Sequence, residues 1–244
     1  MRMDLFPGFT RRRVRSRGAT INLVQGGQGP AVLLLHGYPE THAMWHAVAP
    51  ALARDYTVVC ADLRGYGDSS KPPGDPRHAT YSKRAMAADM VEVMTRLGHE
   101  HFHLVGHDRG GRVAHRLARD HGARVRSLTV LDIVPTLTMY ERTDQAFARS
   151  YWHWFFLIQP APLPERLLAG NAKFYVLGRM GRGPKGLERF SKAALAEYVR
   201  CFEDPRTVHA SCEDYRASAT IDLEHDRADR RRKLKMPVQV LWGR

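Results

Sequence analysis

The chain has 244 residues with 38 basic and 25 acidic side chains, which gives a net charge of +13 when histidine is neutral. This length can bury a sizeable core as one α/β domain with an insertion, and the three cysteines are too few and too irregularly spaced for a disulfide framework or a zinc site. No apolar run reaches the roughly 20 residues that cross a membrane, so we expect no membrane-spanning segment. The cysteine pattern predicts no metal site and is typical of a reducing, cytoplasmic location.

The positive balance favours anionic partners, because it raises their local concentration and encounter rate. Two dense basic runs cover residues 11–17 and 230–233. No nucleic-acid-binding motif accompanies them, so nucleic acid is not an expected partner. We expect these runs to be solvated surface and the anionic partner to be a small molecule.

Short apolar and alternating segments follow one another in the order of an α/β protein. Segments 14–17 and 19–25 alternate around Gly18 and predict an antiparallel hairpin. Residues 31–35 form a continuous apolar run, which is typical of a buried parallel strand. Further strands are predicted over 56–61, 101–105 and 127–132, and helices over 41–53, 81–97 and 111–121.

The segment 104–112, LVGHDRGGR, is an apolar strand that meets a helix at a sharp turn. We interpret it as a nucleophile elbow, which raises Asp108 above the end of the sheet and needs small residues at Gly106 and Gly110. A carboxylate that displaces a leaving group from saturated carbon becomes an ester, and water can hydrolyse that ester at its carbonyl. Aspartate here therefore indicates halide displacement or epoxide opening rather than hydrolysis of esters or amides.

Two arginines, Arg109 and Arg112, lie in the first turn of the helix after Asp108. Free backbone N–H groups and the helix dipole already favour an anion at this position, and the planar guanidinium group suits a carboxylate. We expect a substrate with a negative group one carbon from the reacting centre. The alternative is that both side chains are solvated charges in an arginine-rich protein.

Together, these segments resemble the haloacetate (fluoroacetate) dehalogenase family of the α/β-hydrolase fold. The resemblance rests on 36–42 (HGYPETH), 62–69 (DLRGYGDS), the elbow with both arginines, 131–133 (LDI), 153–154 (HW) and 213–216 (EDYR). It implies a mostly parallel sheet with a helical cap inserted after the sixth strand. It also implies a small anionic haloacid and water as partners, with no cofactor.

The family and the fold together suggest a role for each residue of the predicted site. In this fold the backbone N–H groups of Tyr38 and Arg109 form the oxyanion hole around the Asp108 ester. Asp132, which ends the strand over 127–132, orients the catalytic histidine, although a turn or helix-capping role is the simpler alternative. The resemblance implies that the substrate carboxylate binds Arg109 and Arg112, and that the halide binds His153, Trp154 and Tyr215.

The three halide-binding side chains carry N–H or O–H groups, which can replace water around a strongly hydrated leaving group such as fluoride. The alternative for His153 and Trp154 is an aromatic helix that packs in the interior. The sheet pattern stops near Pro135 and returns at 238–242. We therefore predict a core over 1–134, a helical cap over 135–234 and a return to the core over 235–244.

Members of the family continue past that last strand to a loop with the catalytic histidine, and no histidine of this chain occupies such a position. We therefore expect a truncated product or a fragment without the C-terminal part of the core, which reacts once, stalls as the ester and exposes apolar surface. Two alternatives remain: an epoxide hydrolase, and an inactive fragment that retains only the anion pocket. Halogen preference and oligomeric state, including a homodimer, stay open.

Overall fold

The structure, a computed structural model, describes residues 5–243, in which seven strands form one sheet. The strand order is β1-β2-β4-β3-β5-β6-β7; β1 and β2 pair antiparallel, β2 and β4 also pair antiparallel, and the remaining pairs are parallel. The predicted mostly parallel α/β fold is confirmed. The strands are β1 (Thr10–Arg15), β2 (Thr20–Gly26), β3 (Ala31–Leu35), β4 (Thr57–Ala61), β5 (Phe102–His107), β6 (Val125–Leu131) and β7 (Val238–Leu241).

Strand β3 lies at the centre of the sheet and is buried along its whole length. Because successive side chains of a strand point to opposite faces, it supplies both hydrophobic layers. Leu33 and Leu35 belong to the cluster that includes the buried side of helices α2 (Lys83–Arg96) and α3 (Asp108–Asp120). Val32 and Leu34 belong to the cluster on the other face. The continuous apolar run is therefore explained by burial on both faces.

Helices pack on the sheet and also fill the long interval between β6 and β7. Helix α2 buries the stripe of Met86, Met90, Val93 and Met94, as its helical spacing indicates. The remaining helices are α1 (Ala49–Leu52), α4 (Thr136–Glu141), α5 (Gln145–Ser150), α6 (Trp152–Leu157), α7 (Leu163–Leu168), α8 (Ala172–Met180), α9 (Lys192–Phe202), α10 (Pro205–Ala219) and α11 (Ile221–Ala228). Short 3-10 turns cover His42–Ala47, Ala79–Tyr81, Gly122–Arg124 and Gly186–Arg189.

Two predicted segments differ from the observed elements. The first hairpin strand is Thr10–Arg15 rather than 14–17, because this arginine-rich edge strand is solvated on both faces and shows no alternation of burial. The helix predicted over 41–53 is a 3-10 turn followed by the four-residue α1, which begins beside Pro50. Proline lacks the N–H that a continuous helix would need there, so the chain changes direction instead.

The sheet ends at β7, whose outer edge is unpaired among the described residues. Val240 and Trp242 are 60% and 58% exposed at this edge. Among the helices between residues 5 and 243, none combines the length and the hydropathy of a membrane-spanning segment.

Candidate active site

The turn between β5 and α3 holds Asp108 in the left-handed region, with a φ of 44°. Side chains other than glycine rarely adopt this conformation, and it stores strain. The neighbouring glycines allow the turn to approach the sheet. A Cβ on Gly106 would lie 2.5 Å from the carbonyl oxygen of Gly110, and a Cβ on Gly110 would lie 2.4 Å from that of His36. The structure therefore has the backbone geometry predicted for an elbow at Asp108.

The Asp108 carboxylate is half-buried beside the loop that follows β3. The backbone N–H of Tyr38 donates to its Oδ2 at 3.2 Å. Of the two predicted oxyanion donors, Tyr38 is the one whose N–H contacts this carboxylate in the structure. The Tyr38 ring also stacks on His153, with centroids 6.1 Å apart, so the loop that contacts Asp108 also contacts helix α6.

The Arg109 side chain is fully buried and binds helix α10. Its Nε and Nη2 donate to the Asp214 carboxylate at 2.9 and 2.7 Å, and Nη2 also donates to Ser218 Oγ at 2.6 Å. The guanidinium carbon lies 4.0 Å from the centre of the Tyr215 ring, a cation–π distance. Nη1 is buried without a hydrogen-bond partner in the described chain. Arg109 thus joins α3 to α10, and its Nη1 can still donate a hydrogen bond to a further acceptor.

Arg112 is 5% exposed, and its Nη1 donates to the carbonyl of Val134 at 2.9 Å and to Thr136 Oγ1 at 3.1 Å. Its Nε is buried and has no acceptor within residues 5–243. The guanidinium carbon lies 4.6 Å from the centre of the Trp154 ring. Burial lowers the pKa of Arg112 below its usual value, and the negative charge of Asp108 offsets only part of this shift. Because buried N–H groups are normally paired, the spare donors of both arginines suit an anion.

The three predicted halide ligands come together from α6 and α10. His153, Trp154 and Tyr215 are all buried. The Tyr215 ring centre lies 5.7 Å from that of His153 and 6.1 Å from that of Trp154. The Tyr215 hydroxyl and the Nδ1 of His153 are buried without partners in the part of the chain that the structure describes. Burial, with the charges of Arg179 and Arg109, lowers the pKa of His153 to about 2, so its ring is neutral at physiological pH.

Asp132 follows β6 and is exposed, with a φ of 50°. Its Oδ1 accepts a hydrogen bond from the backbone N–H of Gly243 at 2.7 Å. Within residues 5–243, no histidine hydrogen-bonds this carboxylate. The histidine that the resemblance places beside Asp132 therefore has no counterpart among the described contacts.

A partly buried ion pair lies beside the elbow, and the sequence did not reveal it. His107 Nδ1 and Glu40 Oε2 are 3.2 Å apart, and the N–H of Gly37 donates to the same Oε2 at 3.2 Å. Burial lowers the pKa of His107. The hydrogen bond to Glu40 and the negative charges of Glu40, Asp108 and Asp132 outweigh burial and raise this pKa to about 9. The only sequence signal was the position of a histidine next to the predicted nucleophile.

A second group of buried charges joins the sheet side to the inserted helices. Lys83 Nζ pairs with the Asp214 carboxylate and lies 3.6 Å from Asp222 Oδ2. The Tyr66 hydroxyl donates to Asp214 Oδ2 at 2.6 Å. Asp214 therefore balances both Arg109 and Lys83. Within residues 5–243, no group of three histidine, cysteine or carboxylate side chains converges as a metal ion would require.

Comparisons with known proteins identify relatives that cover nearly the whole chain. Residues 30–244 match the family model of the alpha/beta hydrolase fold. A fluoroacetate dehalogenase from Burkholderia sp is 54% identical over 240 residues, which cover 98% of this chain and 79% of that protein. A soluble epoxide hydrolase from Corynebacterium sp. (strain C12) is 32% identical and covers 96% and 81% of the two chains. The solved structure of an alpha/beta hydrolase from Nostoc sp PCC 7120 superimposes with a TM-score of 0.93 at 57% identity, over 96% of this chain and 81% of that one.

Proposed function

This chain belongs to the fluoroacetate dehalogenase family of the alpha/beta hydrolase fold, and from that premise we propose that it releases halide from haloacetates through an ester on Asp108. The observation that carries the proposal is the strained turn at Asp108, with the Tyr38 N–H on its carboxylate and two buried arginines next to it in sequence. A carboxylate held in this way is a nucleophile toward saturated carbon.

In the proposed reaction the substrate carboxylate binds the spare N–H groups of Arg109 and Arg112. This places the halogen-bearing carbon over Asp108. A carboxylate oxygen of Asp108 forms a bond to that carbon as the carbon–halogen bond breaks, and the halide leaves with the electron pair. Two charged donors on one carboxylate fix its position, which converts the attack into an effectively intramolecular step.

The departing halide is received by the N–H of His153, the indole N–H of Trp154 and the hydroxyl of Tyr215. Such preplaced donors replace the water that would otherwise solvate the anion, and they need no reorganisation as charge develops. We also propose that residues 135–234 act as a cap that keeps bulk water from these donors.

Hydrolysis of the ester requires a base to activate water, and Asp132 is proposed to orient that base. No histidine among residues 5–243 hydrogen-bonds Asp132, so the test below is built on the first step, whose product is the ester on Asp108.

Mass spectrometry after incubation with bromoacetate and fluoroacetate tests the proposal. We expect a carboxymethyl adduct on Asp108 and equimolar halide. D108N should lose both, whereas the matched variant D132N should still form the adduct, because Asp132 acts only after the first step. An adduct in D108N, or none in the unmodified chain, contradicts the proposal. The second result would support a fragment that retains only the anion pocket.

An epoxide hydrolase is the second candidate, and one observation favours it. The hydroxyl of Tyr140, like that of Tyr215, is buried without a partner in the described chain, and paired tyrosine hydroxyls could activate an epoxide oxygen. The spare donors of Arg109 and Arg112 favour an anionic substrate instead. Offering a glycidyl ether and fluoroacetate in parallel, with both adducts measured, separates the two functions.

A further inference from the structure

Helix α8 brings a third arginine, which the sequence analysis did not select, against the proposed halide site. Arg179 Nη2 lies 3.2 Å from Nε2 of His153. Nε and Nη1 of Arg179 are buried, and neither has an acceptor within the described residues. The guanidinium group therefore makes one defined contact, and that contact is with an imidazole nitrogen.

The chemistry of the two groups determines which nitrogen of His153 carries the proton. A guanidinium group only donates hydrogen bonds, so Nε2 of His153 must be the acceptor. The tautomer of a neutral imidazole is set by the hydrogen bond that one nitrogen makes, and the proton then resides on the other nitrogen. In His153 this is Nδ1, the buried atom without a partner among residues 5–243.

The surroundings of His153 contain no carboxylate in the contacts that the structure gives. Its ring contacts the rings of Tyr38, Tyr151, Trp152 and Tyr215, and the charges that act on it come from Arg179, Arg109 and Arg182. These cations disfavour a second proton on the ring. The imidazole thus stays neutral, and within residues 5–243 Arg179 is the one side chain hydrogen-bonded to a ring nitrogen and so able to select between its two neutral forms.

We propose that Arg179 is a positioning residue that holds His153 as an Nδ1–H donor for the departing halide. The inference rests on the proposed function for the role of His153, but the tautomer itself does not depend on any reaction. Without Arg179, the imidazole can carry its proton on Nε2, and Nδ1 then turns a lone pair rather than a proton toward an anion. The site would lose a donor and gain a repulsive group.

Fluoride should be the halide most affected by this change. It is the poorest leaving group and the most strongly hydrated of the halides, so its departure depends most on fixed donors. Bromide leaves with less help. We therefore expect Arg179 to determine how well the site discriminates in favour of fluoroacetate rather than how well it reacts with haloacetates in general.

The first test reads the tautomer by ¹⁵N NMR of histidine-labelled protein, with H153Q to assign the signal. The unmodified chain should show a protonated Nδ1 and an unprotonated Nε2 from pH 5 to 9. In R179M the Nε2–H form should appear, and R179K should retain the original tautomer because its ammonium group also only donates. An Nε2–H signal in the unmodified chain, or an unchanged spectrum in R179M, overturns the proposal.

The matched control is R182M. Arg182 also adds positive charge near His153, but its Nη1 donates to the carbonyl of Ser150 at 2.7 Å instead of to the ring. We expect this variant to keep the Nδ1–H form, which separates the contact from the general effect of charge. If R182M changes the tautomer as R179M does, the specific role of Arg179 is wrong.

The second test measures the rate of Asp108 alkylation by fluoroacetate and bromoacetate. R179M should lose about tenfold more rate with fluoroacetate than with bromoacetate, which is less than the roughly 10²–10³-fold cost of removing a transition-state donor outright, and R179K should restore most of it. Equal losses with the two substrates contradict the proposal. If no variant and no unmodified chain forms an adduct, the proposed function fails, while the NMR result still decides the role of Arg179.

Discussion

At the scale of single residues, the close approach of Gly110 to the end of β3 makes the elbow possible. A methyl group there would lie 2.4 and 2.5 Å from the carbonyl oxygens of His36 and Leu35, so the helix would have to move from the sheet. We expect G110A to lower the free energy of unfolding by about 1–3 kcal/mol. Urea unfolding measures this change.

The control is G178A, because Gly178 lies in α8 with no atom within 4 Å of an added Cβ. In an exposed helix, alanine is favoured over glycine by up to about 1 kcal/mol, so this variant should be slightly more stable. If both variants shift stability in the same direction, the steric account of the elbow is wrong.

The residues that could be predicted are those whose role depends on neighbours in sequence. Asp108, its two glycines and the adjacent arginines form one local pattern of strand, turn and helix. In contrast, the partner of Arg109 is 105 residues away, and Glu40 is 67 residues from His107. Such pairs form only when the sheet and the inserted helices are assembled. Local sequence therefore contains no sign of them.

At the scale of whole elements, helix α10 is held against α2 and α3 by charge as well as by apolar packing. Asp214 on α10 is buried between Arg109 and Lys83. Burial raises the pKa of this carboxyl, but the two cations outweigh it and hold the pKa well below its usual range. The carboxylate is therefore ionised, and it compensates two positive charges that have no access to water.

We expect D214N to lower the free energy of unfolding by about 3–5 kcal/mol, because it leaves two buried cations without their common partner. Thermal and urea unfolding measure the loss. E224Q is the control: Glu224 pairs with Arg77 at 3.3 Å on the surface, where the loss should stay within about 0.5 kcal/mol. Similar losses in the two variants contradict the structural role of the buried group.

The elements themselves were predicted with uneven success, for a physical reason. Strands β3 to β6 are bounded by glycine, proline or polar residues and lie inside the sheet, so burial produces a clear apolar pattern. Strand β1 lies at the edge with four arginines and lacks that pattern. The short α1 and the 3-10 turn before it depend on Pro50 and on tertiary contacts more than on helical periodicity.

At the scale of the whole molecule, the stability of the chain should depend on the proton held by His107. Its pKa is about 9 in the folded chain and 6.5 in the absence of neighbours. A raised folded pKa contributes stability that is complete below about pH 6.5 and is lost as the pH rises through 9. Histidines with lowered pKa values, such as His153 and His115, act on stability below pH 6.5 instead.

We predict that E40Q is less stable than the unmodified chain by about 1–2 kcal/mol at pH 6, after solvent screening is taken into account. The difference should shrink as the pH approaches 10, because His107 is then neutral in both proteins. Unfolding curves at several pH values measure it. A difference that is constant from pH 6 to 10 would mean that Glu40 stabilises the loop without its charge.

Three features of the whole molecule remain predictions. They are the division at residues 134 and 234, the cytoplasmic location and a possible homodimer.

The hydrogen bond from Tyr38 to Oδ2 of Asp108 makes the two carboxylate oxygens unequal before any substrate arrives. Oδ2 accepts this N–H, whereas no hydrogen bond among residues 5–243 involves Oδ1. Under the proposed chemistry, Oδ1 forms the bond to the alkyl carbon and Oδ2 becomes the carbonyl oxygen of the ester. Oδ2 already accepts the hydrogen bond that would stabilise negative charge on it during hydrolysis. One backbone N–H thus determines which of the two equivalent oxygens attacks and which becomes the carbonyl oxygen.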